Sequence, residues 1–472
     1  MKNLYFKIAA LFFLLGIVSC DSQLDLAPTD ILIEEEVFAN VETAEMALAD
    51  IYHKLFIAST GPTHVIADVS LDYLAITSNS SYSNYFGGNL DATDYNVENI
   101  WINYFEVINV ANVFIDKIPV FGKYDETMEK QHIAEAKFNR AYAYWMLLCY
   151  YGHGSLTENF QGLGLPLQLL PYDGFNEEDL LSRSTNEEVY TQIIKDLTEA
   201  LVDLPINHGD NVKSRARATK ATAYAMLSRV QLYKRDYQAC LTASNEMLTF
   251  SNYQLDPDLL HLFPLNESGD VSNFSDEVIF GFPVSSNNGN FQFGTHSIYY
   301  RNKNQWVTTE FINFMDPNDK RRTELIYEGN PFITNPNIKF EKTTFKFNNP
   351  DQRDDIPVLR VAEILLNKAE ALAQIDGVNS ESVDILTQIR ERSGLSGFST
   401  NDFTSKEDLL TAIYNERYIE TAFEGRARFD FIRTNRPLRN ENLTEDQKTF
   451  PIPQREIDLS KNKLVQNPGY NN

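Results

Sequence analysis

Apolar residues recur through most of this chain at spacings of three and four, the period of an amphipathic helix. Between about 129 and 150, Ala134, Phe138, Ala141, Trp145 and Leu148 make one such stripe. Thr185 followed by Glu188 predicts a capping box that opens a helix with its stripe at Val189, Ile193 and Leu197. Ser405 with Asp408 predicts the same kind of start ahead of Leu409, Ile413 and Ile419. Two further segments read as helix pairs. In 215–249, Ala218, Ala221, Ala225 and Ser228 keep one face small, and Lys234-Arg235 turn the chain into Asp236-Tyr237-Gln238-Ala239. Cys240, Ser244 and Leu248 then ride on the return helix. In 358–392, Ala362, Leu366, Ala369 and Ala373 form the first stripe, Asp376-Gly377 breaks it, and Val383, Leu386 and Ile389 lie on the way back.

Two helices in about 34 residues, with small residues where they touch, resemble a tetratricopeptide unit. The two pairs lie 362 − 221 = 141 residues apart, which is no regular array. The pattern therefore predicts a mainly α fold: tetratricopeptide-like helix hairpins forming one scaffold, with long loop-rich insertions and little β. The insertions fall near 60–100 and 251–357. Within the first, 77–99 is rich in Asn, Ser and Gly, and reads as loop. The second has no sustained helical period but many Asn, Pro, Phe and Tyr. Loops of this length in a compact domain are usually functional or disordered, and aromatic richness argues against disorder.

These loops hold the candidate binding chemistry. Tyr82, Asn84, Tyr85 and Phe86 stand together before two glycines, and Phe291, Phe293, Tyr299, Tyr300 and Trp306 follow Asn287, Asn288 and Asn290. Aromatic rings offer flat apolar faces, while amides and hydroxyls bond in fixed directions; a sugar ring needs both. The candidate ligand-binding residues are Tyr82, Asn84, Tyr85, Phe86, Phe291, Phe293, Tyr300 and Trp306. The alternative is that these rings pin their own loops onto the helices.

Charge narrows the ligand. The chain carries a formal −25, or −27 without Lys2 and Lys7. Nucleic acid needs a basic footprint and is excluded on this ground, while anionic ligands are repelled by the summed field. No motif asks for catalysis. The seven histidines form no His-Glu-x-x-His, there is no paired Cys-x-x-Cys, and neither a phosphate loop nor a nucleophile elbow occurs. Gly162-Leu163-Gly164 lacks a third glycine and runs into Pro166. Glu34-Glu35-Glu36, Glu177-Glu178-Asp179 and Asp354-Asp355 read as solvated faces. No cofactor, metal or catalytic residue is expected. Cys149 and Cys240 sit in apolar helical surroundings and read as core.

The first residues give an address. Lys2 and Lys7 precede the apolar run Ile8–Val18, eleven residues, where a bilayer-spanning helix needs about 20. The run ends Ile17-Val18-Ser19-Cys20, which resembles a bacterial lipobox. Residues 1–19 are thus expected to be a lipoprotein signal peptide, with Cys20 lipidated at the head of a single domain spanning 20–472. The alternative is an ordinary cleaved leader with an incidental cysteine.

Near the C-terminus, Asn415-Glu416-Arg417-Tyr418-Ile419-Glu420-Thr421-Ala422-Phe423-Glu424-Gly425-Arg426-Ala427-Arg428-Phe429-Asp430 resembles the Glu-Arg…Phe-Glu-Gly…Arg-x-x-Asp signature of SusD-like (RagB/SusD) outer-membrane lipoproteins. Pro451-Ile452-Pro453-Gln454-Arg455-Glu456-Ile457-Asp458 and Gln466-Asn467-Pro468-Gly469-Tyr470 are similar to that family's closing motif, and the segments 134–141 and 362–371 agree as well. The resemblance implies a non-enzymatic lipoprotein anchored by Cys20 to the outer membrane and facing outward. It implies capture of an oligosaccharide, neutral by the charge argument, for a SusC-like TonB-dependent transporter. It also implies that the signature residues are scaffold, with Glu416, Arg417, Glu424, Arg426 and Arg428 read as an ion-pair network. Peptide capture, and a tetratricopeptide scaffold binding only protein partners, stand as alternatives. A surface hydrolase is the third.

Overall fold

Helices form where the stripes place them, and the first consequence is a chain of helix pairs. The computed structural model describes residues 34–470 apart from 77–81, 89, 159, 173, 175–176, 178–179, 265–272, 285–304, 329–341, 345 and 348–353. The leader and Cys20 lie outside the described residues. The N-terminal part comprises α1 (Glu34–Ala39), α2 (Val41–Ser59), α3 (Pro62–Val69), the strand β1 (Leu74–Ile76), the single turn α4 (Ser83–Gly87), and the long helices α5 (Tyr95–Phe121) and α6 (Glu126–Tyr151). Next come α7 (Asn186–Asp203), α8 (Asn211–Ala216), α9 (Lys220–Tyr233) and α10 (Tyr237–Leu248). The second insertion supplies α11 (Leu259–Leu262), β2 (Val278–Phe282), β3 (Gln305–Val307), α12 (Thr309–Phe314), α13 (Lys320–Thr323), β4 (Ile326–Glu328), β5 (Lys342–Thr344) and β6 (Ile356–Arg360). The chain closes with α14 (Val361–Asp376), α15 (Ser380–Arg392), α16 (Lys406–Glu420), α17 (Ala427–Arg433) and α18 (Gln454–Leu459).

Neighbours in sequence pack as pairs: α5 on α6, α6 on α7, α9 on α10 and α14 on α15. The two predicted hairpins also meet, because α10 packs on α14. The second insertion thus loops out between two elements that are adjacent in space. Their contact is small and polar at its centre. Ser228 Oγ lies 2.8 Å from Ser244 Oγ, and Asn367 Nδ2 donates to Ser228 Oγ at 3.0 Å, all buried. Small side chains let these helices approach closely, and each hydroxyl then finds a partner instead of being stranded.

The cap of α7 is as the sequence predicts. Glu188 N donates to Thr185 Oγ1 at 3.2 Å, and Thr185 N donates back to Glu188 Oε2 at 2.8 Å. Val189, Ile193 and Leu197 are buried. Thr185→Ala is expected to cost about 1 kcal/mol, read as a lower urea midpoint at unchanged m-value. At α16 only half of the predicted box forms. Asp408 N donates to Ser405 Oγ, but the Asp408 carboxylate accepts from Thr404 N at 3.1 Å, one residue upstream of the expected partner.

The first insertion is more helical than its composition suggests. Asp94 caps α5 by accepting from Asn96 N and Val97 N, so residues from Tyr95 onward are helix. β-structure is slight among the described residues: three antiparallel strand pairs, β1–β3, β2–β6 and β4–β5, and one isolated bridge between Leu163 and Thr185. The β2–β6 pair is almost wholly buried and joins the second insertion to the core. Cys149 and Cys240 are buried free thiols, and burial pushes the Cys240 thiol up to about 12, so both behave as core.

Candidate functional site

One strand pair joins the chain just before the first predicted aromatic segment to Trp306 at the end of the second. β1 leads into the first loop and β3 comes out of the second, and they pair with Ala75 opposite Trp306. Gln305 and Val307 are buried, so the alternation of the strand turns Trp306 to the other side, where it is half-buried. The residue facing it is an alanine, whose single methyl cannot cover an indole. The pair is fixed from below. Thr308 N donates to Tyr73 O at 3.1 Å, and Arg439 donates to Leu74 O at 2.6 Å and, from Nε, to Leu71 O at 3.0 Å.

The first loop contradicts part of the sequence reading. Tyr82 and Tyr85 are only 8% and 3% exposed. The Tyr85 hydroxyl donates to the Asp94 carboxylate that caps α5, and its ring lies 6.0 Å from Phe450 and 6.4 Å from Tyr82. Gly88 follows at φ +73, with Leu443 filling the space a Cβ would need. Burial, with the Asp94 contact added, pushes the Tyr85 phenol upward, so it stays a donor. These two rings pin the loop onto the helices and offer no open face. Asn84, between them, is exposed. The side chain of Phe86, and all of Phe291, Phe293, Tyr299, Tyr300, Asn287, Asn288 and Asn290, lie outside the described residues. Trp306 and Asn84 are therefore the predicted site residues that the structure places with access to solvent.

Beneath β1 sits the C-terminal signature. Phe423-Glu424-Gly425 turns with Phe423 at φ +66 and Gly425 at φ +69. His64 Nε2 donates to Phe423 O at 2.7 Å, and Gly425 N donates to Asp68 Oδ1 at 3.1 Å. Asp68 also accepts from the Tyr73 hydroxyl, which ties the turn to the start of β1. Glu424 then enters a buried charge cluster. Arg360 bonds Glu424, Glu420 and Glu277; Arg392 bonds Glu277 and Glu420; Arg321 bonds Asp319, Glu416 and Glu420. Lys346 reaches Glu424, while Arg426 bridges Glu424 to Glu363, which Arg229 also holds. Among the described residues six buried cations face six carboxylates, and the part-exposed Arg390 adds a contact to Glu416 at 3.5 Å. Glu416, Glu424 and Arg426 of the signature are thus in ion pairs, with partners from the second insertion (Arg321, Lys346), the end of β6 (Arg360) and the helices α14 and α15 (Glu363, Arg390). Arg417 pairs with Glu370 instead, and Arg428 belongs to no such pair: it donates to Lys448 O at 2.7 Å and lies over the Phe450 ring.

This support titrates. Burial lowers His64 to about 3, against which its bond to Phe423 is a smaller opposing effect. Burial alone would raise Glu424, but Arg360, Lys346 and Arg426 outweigh it and hold the carboxyl at about 2. Both folded values lie below the unfolded ones, so the unfolded chain binds more protons and stability is lost as pH is lowered. The His64 contribution is complete above about 6.5 and falls by up to about 1.4 kcal/mol per pH unit towards its folded value. The Glu424 contribution is complete above about 4.5 and is lost as pH falls through about 2. Burial lowers His132 and His208 in the same direction as His64. Urea midpoints measured from pH 7.5 down to 4.5 are expected to drop steadily, and His64→Gln is expected to flatten that slope.

Comparison with known proteins supplies the context. A sequence profile described as "Starch-binding associating with outer membrane" matches residues 24–232, and one described as "SusD family" matches 221–446. SusD-like protein P2 of Formosa agariphila is 25% identical, over 98% of this chain and 99% of that protein. Among solved structures, a SusD superfamily protein from Bacteroides thetaiotaomicron superposes with a TM-score of 0.78 at 22% identity, covering 91% of this chain and all of that one. A protein described as a laminarin binding SusD-like protein superposes at 0.74 and 22% identity, covering 92% of this chain and 100% of its own.

Proposed function

The chain belongs to the SusD/RagB family, and on that premise we propose that it is a glycan-binding lipoprotein that captures an oligosaccharide and passes it to a SusC-like TonB-dependent transporter. The observation that carries this reading is the half-buried Trp306 on β3, facing Ala75 where the first aromatic loop begins and the second ends. A half-buried indole keeps part of its surface in water and can serve as a stacking platform for the C–H face of a sugar. Asn84 adds a directed amide on the neighbouring loop, and Tyr82 and Tyr85 hold that loop in place. The burial of those two rings makes them supports, and this reading assigns Phe86, Phe291, Phe293 and Tyr300, with Trp306, to ligand binding.

A net charge of −25 favours a neutral glycan, since an acidic one meets the field of the whole surface. Residues 20–472 act as one domain in this reading, held at the outer membrane through Cys20 and facing outward. Among the described residues no helix is long and apolar enough to cross a membrane. We read the protein as a binder and not an enzyme. The carboxylates most strongly displaced from ordinary titration, Glu420 and Glu424, are buried and committed to arginines, so neither is poised to give a ligand its proton.

The test is affinity electrophoresis of residues 21–472 through gels cast with neutral polysaccharides, starch and laminarin among them, and with acidic ones. Retardation by a neutral glycan is expected, with a dissociation constant on the order of micromolar to millimolar, about 4 to 8 kcal/mol. No new reducing ends should appear. Uniform mobility across the panel would transfer the reading to peptide capture within the same transport class, or to a protein-binding scaffold.

A further inference from the structure

A second pocket, built from other residues than the β1–β3 face, opens between α2, α8 and the end of β2, with a volume of about 400 Å³. We propose that it binds a small uncharged molecule: one or two fused rings with an apolar face and an oxygen at one end. Its walls are Ala49, Tyr52 and Phe56 on one face of α2, Ala216 from α8, and Phe282 and Pro283 at the end of β2. The Phe56 and Phe282 rings meet edge to face at 5.5 Å, which closes the floor. Such walls reward removal of apolar surface from water and offer little to a ligand ringed with hydroxyls. A volume near the lower end of ligand cavities, about 300 to 1,000 Å³, suits one or two rings and no longer chain.

The rim decides the charge. Arg217 donates to Glu45 at 3.1 Å and to Glu135 at 2.6 and 2.8 Å, and Glu135 also accepts from the Tyr52 hydroxyl. Lys213 stands 3.9 Å from Glu45. Two cations, Arg217 and Lys213, face two carboxylates, Glu45 at the rim and the buried Glu135 behind it, so these charges balance as a unit, with His53 completing the lining. An anionic ligand would have to compete with Glu45 for Arg217, and a cationic one would have to compete with Arg217 for Glu45; an uncharged one disturbs neither pair. Lys213 is half-exposed, at 47%, with three N–H donors and one long contact, and so can donate to a ligand oxygen at the mouth.

Ligand-observed NMR titration of the folded protein with 2-naphthol tests this, beside naphthalene-2-sulfonate as its charged counterpart. A saturable dissociation constant on the order of 0.1 mM is expected for 2-naphthol, with the sulfonate at least tenfold weaker. Ala49 is an exposed helix position, so Ala49→Trp fills the pocket without disturbing the core; it should weaken 2-naphthol at least tenfold and leave glycan retardation unchanged. Ala216→Phe fills the same space from α8 and should act alike. No saturable binding, equal binding of the sulfonate, or binding unchanged in both variants would overturn the proposal. Loss of glycan retardation in Ala49→Trp would overturn the separation of the two sites.

Discussion

Arg360→Met is expected to remove about 3 to 5 kcal/mol of stability, a large share of the roughly 5 to 15 kcal/mol a domain possesses. The side chain is fully buried, and its guanidinium donates to Glu424 at 2.9 Å through both Nε and Nη2, to Glu277 at 2.7 Å, to Glu420 Oε1 at 2.6 Å and to the Glu420 carbonyl at 2.6 Å. Deleting it leaves the cluster's six buried acids facing five buried cations. That uncompensated charge, more than the lost bonds, is what costs stability. Arg360→Lys keeps the charge but not the planar fork, and should fall between wild type and Arg360→Met. Urea unfolding of the three proteins at pH 7.5 checks the order. A midpoint for Arg360→Met within error of wild type would mean that the cluster is incidental to the fold.

Gly425→Ala is expected to cost about 3 kcal/mol, from a left-handed backbone worth about 1 to 2 and a clash on top. At φ +69, an added Cβ would lie 2.7 Å from His64 Nδ1 and 3.2 Å from His64 Cα, and the imidazole is held by its bond to Phe423 O. Gly209 provides the control. It has φ +78 and nothing within 4 Å of its Cβ position, so Gly209→Ala should carry the backbone part alone. The difference between the two midpoints isolates the contact with His64. Equal losses would show that the signature glycine serves backbone geometry only.

The helical framework was legible because its cause is local. A stripe such as Val189, Ile193 and Leu197, or a cap such as Thr185 with Glu188, depends on residues within a turn or two. The same holds for the small faces of both hairpins. What the chain does not show locally is who meets whom. Nothing near Tyr85 announces that Asp94 will take its hydroxyl or that Phe450 will cover its ring, so a tyrosine beside Asn and Gly looks like an open loop aromatic. Glu424 and Arg426 were recognisable as charged partners, whereas Lys346 and Arg360, which reach Glu424, lie within and at the end of a long insertion, and Glu277 joins only through Arg360 and Arg392. Strands of three residues, such as β1 and β3, are too short for an alternating pattern to stand out. The placement of Trp306 opposite Ala75 is therefore a product of tertiary pairing, and the half-buried indole emerges only once that pair is formed.

Glycan capture at that indole is tested most directly by comparing wild type with Trp306→Ala in gels cast with whichever neutral polysaccharide retards the wild-type protein, thermal unfolding confirming that both are folded. Retardation of wild type that falls at least tenfold in Trp306→Ala is the expected result. Wild type that no polysaccharide retards, or a folded Trp306→Ala variant retarded as strongly as wild type, would contradict it.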